Sequence, residues 1–242
     1  PAVRLSGLVL PGMRAAGWGR VVVISSVFGR EAGGAPAYNG AKAAETALAS
    51  LIASFWQTPH PIFDPFGFLH LALGRAHEEV VALGKTLPLD QRPRATCAVC
   101  LVQEGAAYWA HVGDSRVYQI RNGEVVARTR DHSHVEQLLR DGVITEDQAH
   151  GHPMRNFVEC CLGGDPMLTE MSIGNRQVLK RGDLILTCSD GLWANLSDAE
   201  IAAPWRSKAS LRGILSDLCA KAVHASAPHS DNTSAAVLRW LA

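Results

Sequence analysis

The hydrophobic pattern of this 242-residue chain is helical in its first half and becomes strand-like near residue 95. Tyr38–Trp56 is rich in Ala and Leu and lacks Pro, which predicts a helix. Prolines at 59, 61 and 65 interrupt it, and a second helix is predicted over Phe66–Leu83, ending at Gly84. The apolar residues that share one face of this second helix are Leu69, Ala72, Leu73, Ala76 and Val80.

After Ala95, short apolar runs separated by turn residues predict strands. The predicted strands are Thr96–Val102, Ala107–Val112, Arg116–Arg121, Glu124–Arg128, Met171–Leu179, Asp183–Thr187 and Thr233–Leu241. Asn122-Gly123 predicts a tight hairpin between the third and fourth strands. Further helices are predicted over residues 134–141, 197–203 and 207–224. Strands in runs and helices in blocks predict an α+β layered domain, with domain bounds of 44–242.

The first 43 residues differ from the rest because they are rich in Gly and Ala. They predict a short helix near Leu5–Ala16, a strand over Arg20–Ser25 and a loop over Gly29–Pro36. Fewer than about 40–50 residues rarely bury enough surface to fold alone, so we treat 1–43 as a separate fragment without its own core.

The bulk composition indicates a soluble globular protein with a substantial core, since 47% of residues are hydrophobic and 19% are charged. Lys and Arg number 23, equal to Asp and Glu, and no basic run occurs, so neither nucleic acid nor a membrane is expected as a partner. Val21–Ile24, the most apolar run near the start, is too short to span a bilayer, and no signal peptide is predicted. The six cysteines predict buried free thiols in a reducing cytoplasm, and a redox or zinc site at Cys97 and Cys100 is the alternative.

Three aspartates lie in short turns of small residues, each beside an apolar run. They are Asp114 in Gly113-Asp114-Ser115-Arg116, Asp190 in Ser189-Asp190-Gly191 and Asp231 in Ser230-Asp231-Asn232. Aspartates at strand ends can converge on one rim of a sheet, and their oxygens suit hard divalent cations. This pattern indicates metal-assisted phosphate chemistry.

The ordered series of motifs that contains these aspartates resembles one family. In order, the motifs are Gly113–Arg116, Asp131–Ser133, Gly142–Ile144, His152–Asn156, Cys161–Gly163, Gly182-Asp183, Thr187–Leu192 and Ser230–Asn232. Together they are similar to the PPM family, the type 2C metal-dependent Ser/Thr protein phosphatases, over about residues 44–242. The resemblance implies a central β-sandwich flanked by helices, with Mg²⁺ or Mn²⁺ at one end of the sandwich.

The same resemblance assigns roles to residues of this chain. Asp190 and Asp231 match two ligands of one catalytic metal, and Asp114 with Asp190 matches an additional, weaker metal site. The residues expected to support these turns are Ser115, Gly191 and Asn232. The nucleophile would be a water that the metals activate, so no side chain is assigned as catalytic. The implied substrate is phosphoserine or phosphothreonine on a protein, supplied by a Ser/Thr kinase system.

The chain departs from the family pattern before the Tyr38–Trp56 helix. The family's Arg with an acidic pair and its Asp-Gly-x-Gly-Gly-His motif are absent, since no Asp-Gly precedes Asp141. The usual Gly-Thr-Thr is altered to Arg94-Ala95-Thr96. The missing motifs supply the aspartate that bridges both metals, so we expect an incomplete metal site and impaired hydrolysis. The alternative is a catalytically inactive pseudophosphatase that acts as a binding module.

The N-terminal fragment carries a second resemblance, to short-chain dehydrogenase/reductases. Tyr38 and Lys42 match the family's Tyr-x-x-x-Lys pair, and Ser26, or alternatively Ser25, matches its serine. This implies a partial Rossmann-like fragment, joined to the phosphatase-like region near residues 42–47. No NAD(P) binding is expected, because the Gly-rich dinucleotide turn is absent. The strand Arg20–Ser25 either replaces a missing phosphatase strand or remains unpaired.

The histidines at 132, 134, 150 and 152 fall in a polar stretch between the predicted strands. No carboxylate or cysteine completes a tight metal-ligand spacing among them, so we interpret Asp131–Pro153 as a polar flap over the substrate cleft rather than a histidine metal site.

Overall fold

The computed structural model describes residues 19–25, 35–155, 157–168, 170–228 and 231–241. For residues 19–25, 35–38 and 150 it describes the backbone only. The predicted helix at Leu5–Ala16, residues 29–34 of the predicted loop, and Ser26 therefore lie outside the described residues.

Two long helices form the outer layer on one side, and both were predicted. α1 covers Ala35–Gln57 and α2 covers Pro65–Leu83. Asp64 caps α2 by accepting a hydrogen bond from the Gly67 N–H (3.0 Å), and Gly84 ends it by donating to Val81 O (3.1 Å). The predicted apolar face of α2 is buried, which confirms its orientation.

Ten strands of the described residues form two antiparallel sheets. They are β1 Gly19–Ser25, β2 Arg94–Gln103, β3 Ala106–Val112, β4 Arg116–Arg121, β5 Glu124–Arg128, β6 Leu162–Gly163, β7 Ser172–Ile173, β8 Gln177–Val178, β9 Leu184–Cys188 and β10 Ala235–Arg239. One sheet has the order β1-β2-β3-β7, with β6 paired to β2 and β8 paired to β3. The other has the order β10-β9-β4-β5.

The two sheets pack face to face with helices outside them, as expected for the α+β sandwich. Between the sheets, Cys100 and Trp109 of the first sheet meet Val117 and Ile185 of the second. Helices α1 and α2 cover the outer face of the first sheet. The outer face of the second sheet packs against α7, and the remaining helices lie in the connections. These helices are α3 His134–Arg140, α4 Glu146–His150, α5 Asp190–Trp193, α6 Asp198–Ala202 and α7 Leu211–Ala225.

The strand β1 belongs to the first sheet. It runs antiparallel to β2, with Ser25 opposite Thr96 and Gly19 opposite Val102. Helix α1 then continues without a break through the predicted junction at residues 42–47. Of the two alternatives for this strand, pairing is confirmed. The expected partial Rossmann-like fragment is not seen in the described residues, because a Rossmann unit builds on parallel strands and β1 pairs in the opposite sense.

Several local predictions are corrected by backbone geometry. The predicted strand Met171–Leu179 consists of two short strands, because the three residues 174–176 between them lie opposite only two residues of β3, 108 and 109, and this breaks the register. Gly174 marks this point: its N–H donates to Trp109 O, and a Cβ there would lie 2.2 Å from Trp109 Nε1. The tight hairpin was predicted correctly, since Asn122 (φ 51°) and Gly123 (φ 74°) both have left-handed backbone angles.

Two further features concern the helices and the cysteines. No helix among the described residues combines the length and apolar character needed to cross a bilayer. All six cysteines are free thiols, and four of them are buried.

Candidate functional site

The turn that holds Asp114 follows β3 at one end of the sandwich. Gly113 has a φ of +97°, and a Cβ there would lie 2.4 Å from Thr96 Cγ2, so only glycine fits. The main chain of this turn is fixed on two sides: Gly113 accepts from the His132 N–H (3.0 Å), and Asp114 O accepts from Trp193 Nε1 (2.9 Å). Asp114 itself is buried. The sequence therefore builds a rigid, enclosed position for one carboxylate.

Asp114 and Asp190 come close enough to repel each other. Burial raises the pKa of Asp114 well above its usual range, and the negative charges of Asp190 and Asp131 raise it further. Asp190 is the first residue of α5, directly after β9 and Ser189. Two buried or half-buried carboxylates at one end of a sheet are stabilised by a cation, so this pair fits a hard divalent ion.

The turn that carries Asp231 is tied to the turn that carries Asp190. Ser189 Oγ donates to Asn232 O (3.1 Å) and accepts from the Ser234 N–H (3.0 Å). The Ser189 N–H donates to Ser234 O (2.9 Å). The main chain of Asn232 therefore helps to hold the two aspartate-bearing turns side by side.

Gly191 allows these two turns to approach closely. A Cβ at Gly191 would lie 2.7 Å from Asn232 O and 2.8 Å from Thr233 Oγ1. Thr233 Oγ1 in turn donates to Gly191 O (3.1 Å). The absence of a side chain at this position is therefore a packing requirement of the site.

Ser115 lies beside the end of β1. Its hydroxyl is buried and hydrogen-bonded to Thr96 Oγ1 (2.9 Å). Thr96 is the residue of β2 that faces Ser25 in the β1–β2 register. The altered Arg94-Ala95-Thr96 segment thus keeps the hydroxyl that contacts Ser115, and the carboxyl end of β1 lies at the same end of the sandwich as Asp114.

A buried ion pair supports the Asp114 turn, and sequence reasoning did not identify it as a unit. Arg116 binds Asp131 through two bonds, Nε–Oδ1 (2.8 Å) and Nη2–Oδ2 (2.7 Å). Its third nitrogen, Nη1, donates to Tyr118 OH (3.1 Å), and its guanidinium lies 3.6 Å from the centroid of the Trp193 ring. The available indication was an arginine directly before Val117 and Tyr118, since an arginine buried beside such residues requires a partner.

His132 is a buried structural residue that stacks on His111, with ring centroids 4.6 Å apart. His132 Nδ1 accepts from the Gly113 N–H (3.2 Å), so Nε2 carries the proton and donates to Ser172 Oγ (2.8 Å). His111 donates from Nε2 to Arg130 O, while its Nδ1 is buried without a partner. Burial lowers the pKa of both rings to about 4, so both are neutral at pH 7.

The described residues do not form a complete metal cage. No three or more His, Cys, Asp or Glu side chains among them come together as a ready metal site. Asp190 contributes to the electrostatic environment of Asp114, and the turn that carries Asp231 is bonded through Asn232 O to the turn that carries Asp190. The donor set therefore fits a divalent cation held by few protein oxygens.

The dehydrogenase-like residues give no second site among the described residues. Lys42 is exposed and forms an ion pair with Glu45 (2.9 Å). Tyr38 lies in α1, where its backbone alone is described. Ser26 lies outside the described residues.

A cavity of about 170 Å³ opens beside Trp193, between α3, α4 and α6. Its lining includes Arg116, Asp131, Glu136, Arg155 and Trp193. Because Trp193 contacts Asp114 directly, this cavity begins one side chain away from the paired carboxylates.

Comparison with known proteins agrees with this geometry. No family model matches the chain. It is 39% identical over 136 residues to a putative protein phosphatase 2C-type of Streptococcus pyogenes, a match that covers 56% of this chain and 54% of that protein. The chain thus spans about half the length of this curated relative.

Solved structures match over more of the chain. The Mycobacterium tuberculosis serine/threonine phosphatase PstP/Ppp superposes with a TM-score of 0.76 at 25% identity, covering 92% of this chain and 88% of that one. The catalytic domain of PstP in complex with two manganese ions gives a TM-score of 0.69 at 23% identity, covering 91% of this chain and 96% of that one. These matches give no support for a dehydrogenase fragment.

Proposed function

We propose that this chain, which has the fold of PPM-type Ser/Thr protein phosphatases over most of its length, hydrolyses phosphoserine or phosphothreonine on proteins with Mg²⁺ or Mn²⁺. The observation that carries the proposal is that three aspartate-bearing turns are bonded together at one end of the sandwich: Trp193, in the helix that begins with Asp190, bonds to Asp114 O (2.9 Å), and the Asp231 turn is bonded to the Asp190 turn. The substrates would be phosphoproteins made by a Ser/Thr kinase system.

In this proposal the carboxylates hold the cation and the surrounding residues hold the carboxylates. A divalent cation, when bound, neutralises phosphate charge and lowers the pKa of a water to make it a nucleophile. Asp190 and Asp231 bind it through their oxygens, and Asp114 with Asp190 holds a weaker ion. Ser115, Gly191 and Asn232 keep the three turns in register. The cavity beside Trp193 accommodates part of the phosphoprotein next to these carboxylates.

The proposed activity is lower than that of a complete family member. The sequence lacks the Asp-Gly-x-Gly-Gly-His motif, and β1 ends in Ser25 at this end of the sheet. A serine hydroxyl is a much weaker ligand for Mg²⁺ or Mn²⁺ than a carboxylate. Fewer carboxylates mean weaker metal binding, so millimolar Mn²⁺ is required for turnover.

A second candidate function is binding of a phosphoprotein or kinase without catalysis. It is favoured by one observation: no group of three metal-binding side chains is present among the described residues. In this case Asp114 and Asp190 are inherited carboxylates, and the cavity beside Trp193 is the binding surface.

Hydrolysis of a phosphothreonine peptide, measured with and without millimolar Mn²⁺, tests the first proposal. We expect Mn²⁺-dependent phosphate release that Asp190→Asn abolishes, because an amide removes the negative charge and one anionic ligand. Asp217→Asn is the matched control, since Asp217 is an exposed carboxylate on α7 and does not line the cavity beside Trp193. No turnover by a folded protein that still binds the phosphopeptide would refute hydrolysis and support the binding function.

A further inference from the structure

Trp193 connects the two elements that carry Asp114 and Asp190. It lies three residues after Asp190, in the single-turn helix α5. Its indole N–H reaches across to the main-chain oxygen of Asp114 (2.9 Å). One planar side chain therefore links the helix that begins with Asp190 to the turn after β3.

The ring face of Trp193 is also fixed, by the guanidinium of Arg116 at 3.6 Å from its centroid. Arg116 cannot move easily, because it is buried and held by two bonds to Asp131. The indole is thus held at its N–H by Asp114 O and at its ring face by Arg116, two residues further along the same segment. A cation over an aromatic ring adds to this stabilisation when the pair is desolvated.

The hydrogen bond from Trp193 to Asp114 O opposes the electrostatic repulsion between the carboxylates of Asp114 and Asp190. Asp190 begins the helix that Trp193 ties to the Asp114 turn, so two negatively charged carboxylates are held at the same end of the sandwich and favour separation when no cation is bound. Divalent-ion binding requires their oxygens within about 2.0–2.6 Å of one ion, so any relaxation of the two turns lowers the affinity.

We propose that Trp193 is a positioning residue, whose N–H bond to Asp114 O sets the spacing of Asp114 and Asp190 and thereby the affinity for the divalent cation. The inference rests on the proposed function, because it assigns a metal to these carboxylates. It extends that function by naming an uncharged residue that controls metal affinity without binding the metal.

The experiment compares Trp193→Phe with Trp205→Phe in the full chain. Phenylalanine keeps an aromatic face for Arg116, but it removes part of the indole ring together with the N–H donor, so the control variant must lose the same ring volume. Trp205 is the matched control, since it is buried and its Nε1 has no hydrogen-bond partner. Mn²⁺ affinity is measured by isothermal titration calorimetry, and stability without metal is measured by urea unfolding.

We expect Trp193→Phe to weaken Mn²⁺ binding about fivefold, the equivalent of one hydrogen bond, while Trp205→Phe leaves it unchanged. Equal Mn²⁺ affinity in the two variants would overturn the positioning role alone. Absence of Mn²⁺ binding in the unaltered chain would overturn both the positioning role and the metal-dependent function. If Trp193→Phe does not fold, Trp193→benzothienylalanine replaces the N–H with sulfur in the same ring outline and gives the same comparison.

Discussion

Replacing Arg116 with methionine should destabilise the chain strongly, because it leaves a carboxylate buried without its partner. The Arg116 and Asp131 side chains are 10% and 4% exposed, and two hydrogen bonds of 2.8 and 2.7 Å join them. Breaking a pair of this kind by removing one partner costs about 3–5 kcal/mol. For a chain of this size, 1 kcal/mol corresponds to about 2–4 °C, so Tm should fall by about 6–20 °C.

The matched control is Arg206→Met. Arg206 forms an ion pair with Glu124 at 3.1 Å, but the two side chains are 59% and 76% exposed. Exposed pairs contribute about 0–1 kcal/mol, so this variant should unfold almost like the unaltered chain. Thermal and urea unfolding followed by circular dichroism measure both variants under identical conditions.

The double variant Arg116→Met/Asp131→Leu separates the cost of leaving Asp131 buried without a partner from the net contribution of the ion pair to the free energy of unfolding. Apolar residues in place of both partners are often nearly neutral, so the double variant should recover most of the stability that Arg116→Met loses. Equal losses in Arg116→Met and Arg206→Met, or no recovery in the double variant, would refute this reasoning.

Two further predictions follow from the histidine stack and from Gly191. Because the pKa of His111 and His132 is lowered from 6.5 to about 4, the folded chain binds fewer protons than the unfolded chain between these values. The free energy of unfolding measured with urea should therefore fall as pH drops from 6.5 towards 4, by at most about 3 kcal/mol per ring. His111→Phe should make this fall smaller, and an equal fall in the variant would contradict the reasoning. Gly191→Ala should lower the free energy of unfolding measured with urea by about 1–3 kcal/mol, because its Cβ would lie 2.7 Å from Asn232 O. The variant should also lower Mn²⁺-dependent turnover. Unchanged stability would show that the turns carrying Asp190 and Asp231 separate freely.

Much of the fold could be predicted because the hydrophobic spacing and the turn residues along the chain agree with the packing of the folded structure. The spacing of Leu69, Leu73 and Val80 defined the buried face of α2, and Asn122-Gly123 could form only a tight turn with left-handed angles. Helix α5 was not predicted. It is four residues long, and a segment of that length has no hydrophobic period to detect.

The site was predictable as a set of turns but not as an arrangement in space. Ser-Asp-Gly and Gly-Asp-Ser identified the positions of Asp190 and Asp114, because small residues around an aspartate are visible in sequence. The link from Trp193 to Asp114 O spans 79 positions and uses a main-chain acceptor that every residue has. No residue type marks such a bond, so only the folded chain reveals it.

The pairing of β1 with β2 also determines the order in which this chain can fold. Ser25 and Thr96 are opposite each other but 71 positions apart, and closing a loop of that length costs about 4 kcal/mol of chain entropy. Helices α1 and α2 lie within this loop and pack on each other through contacts that are closer in sequence. Once formed, they shorten the flexible path between the two strands. We therefore expect the helical pair to form first and β1 to join the sheet late, after the helices that separate it from its partner.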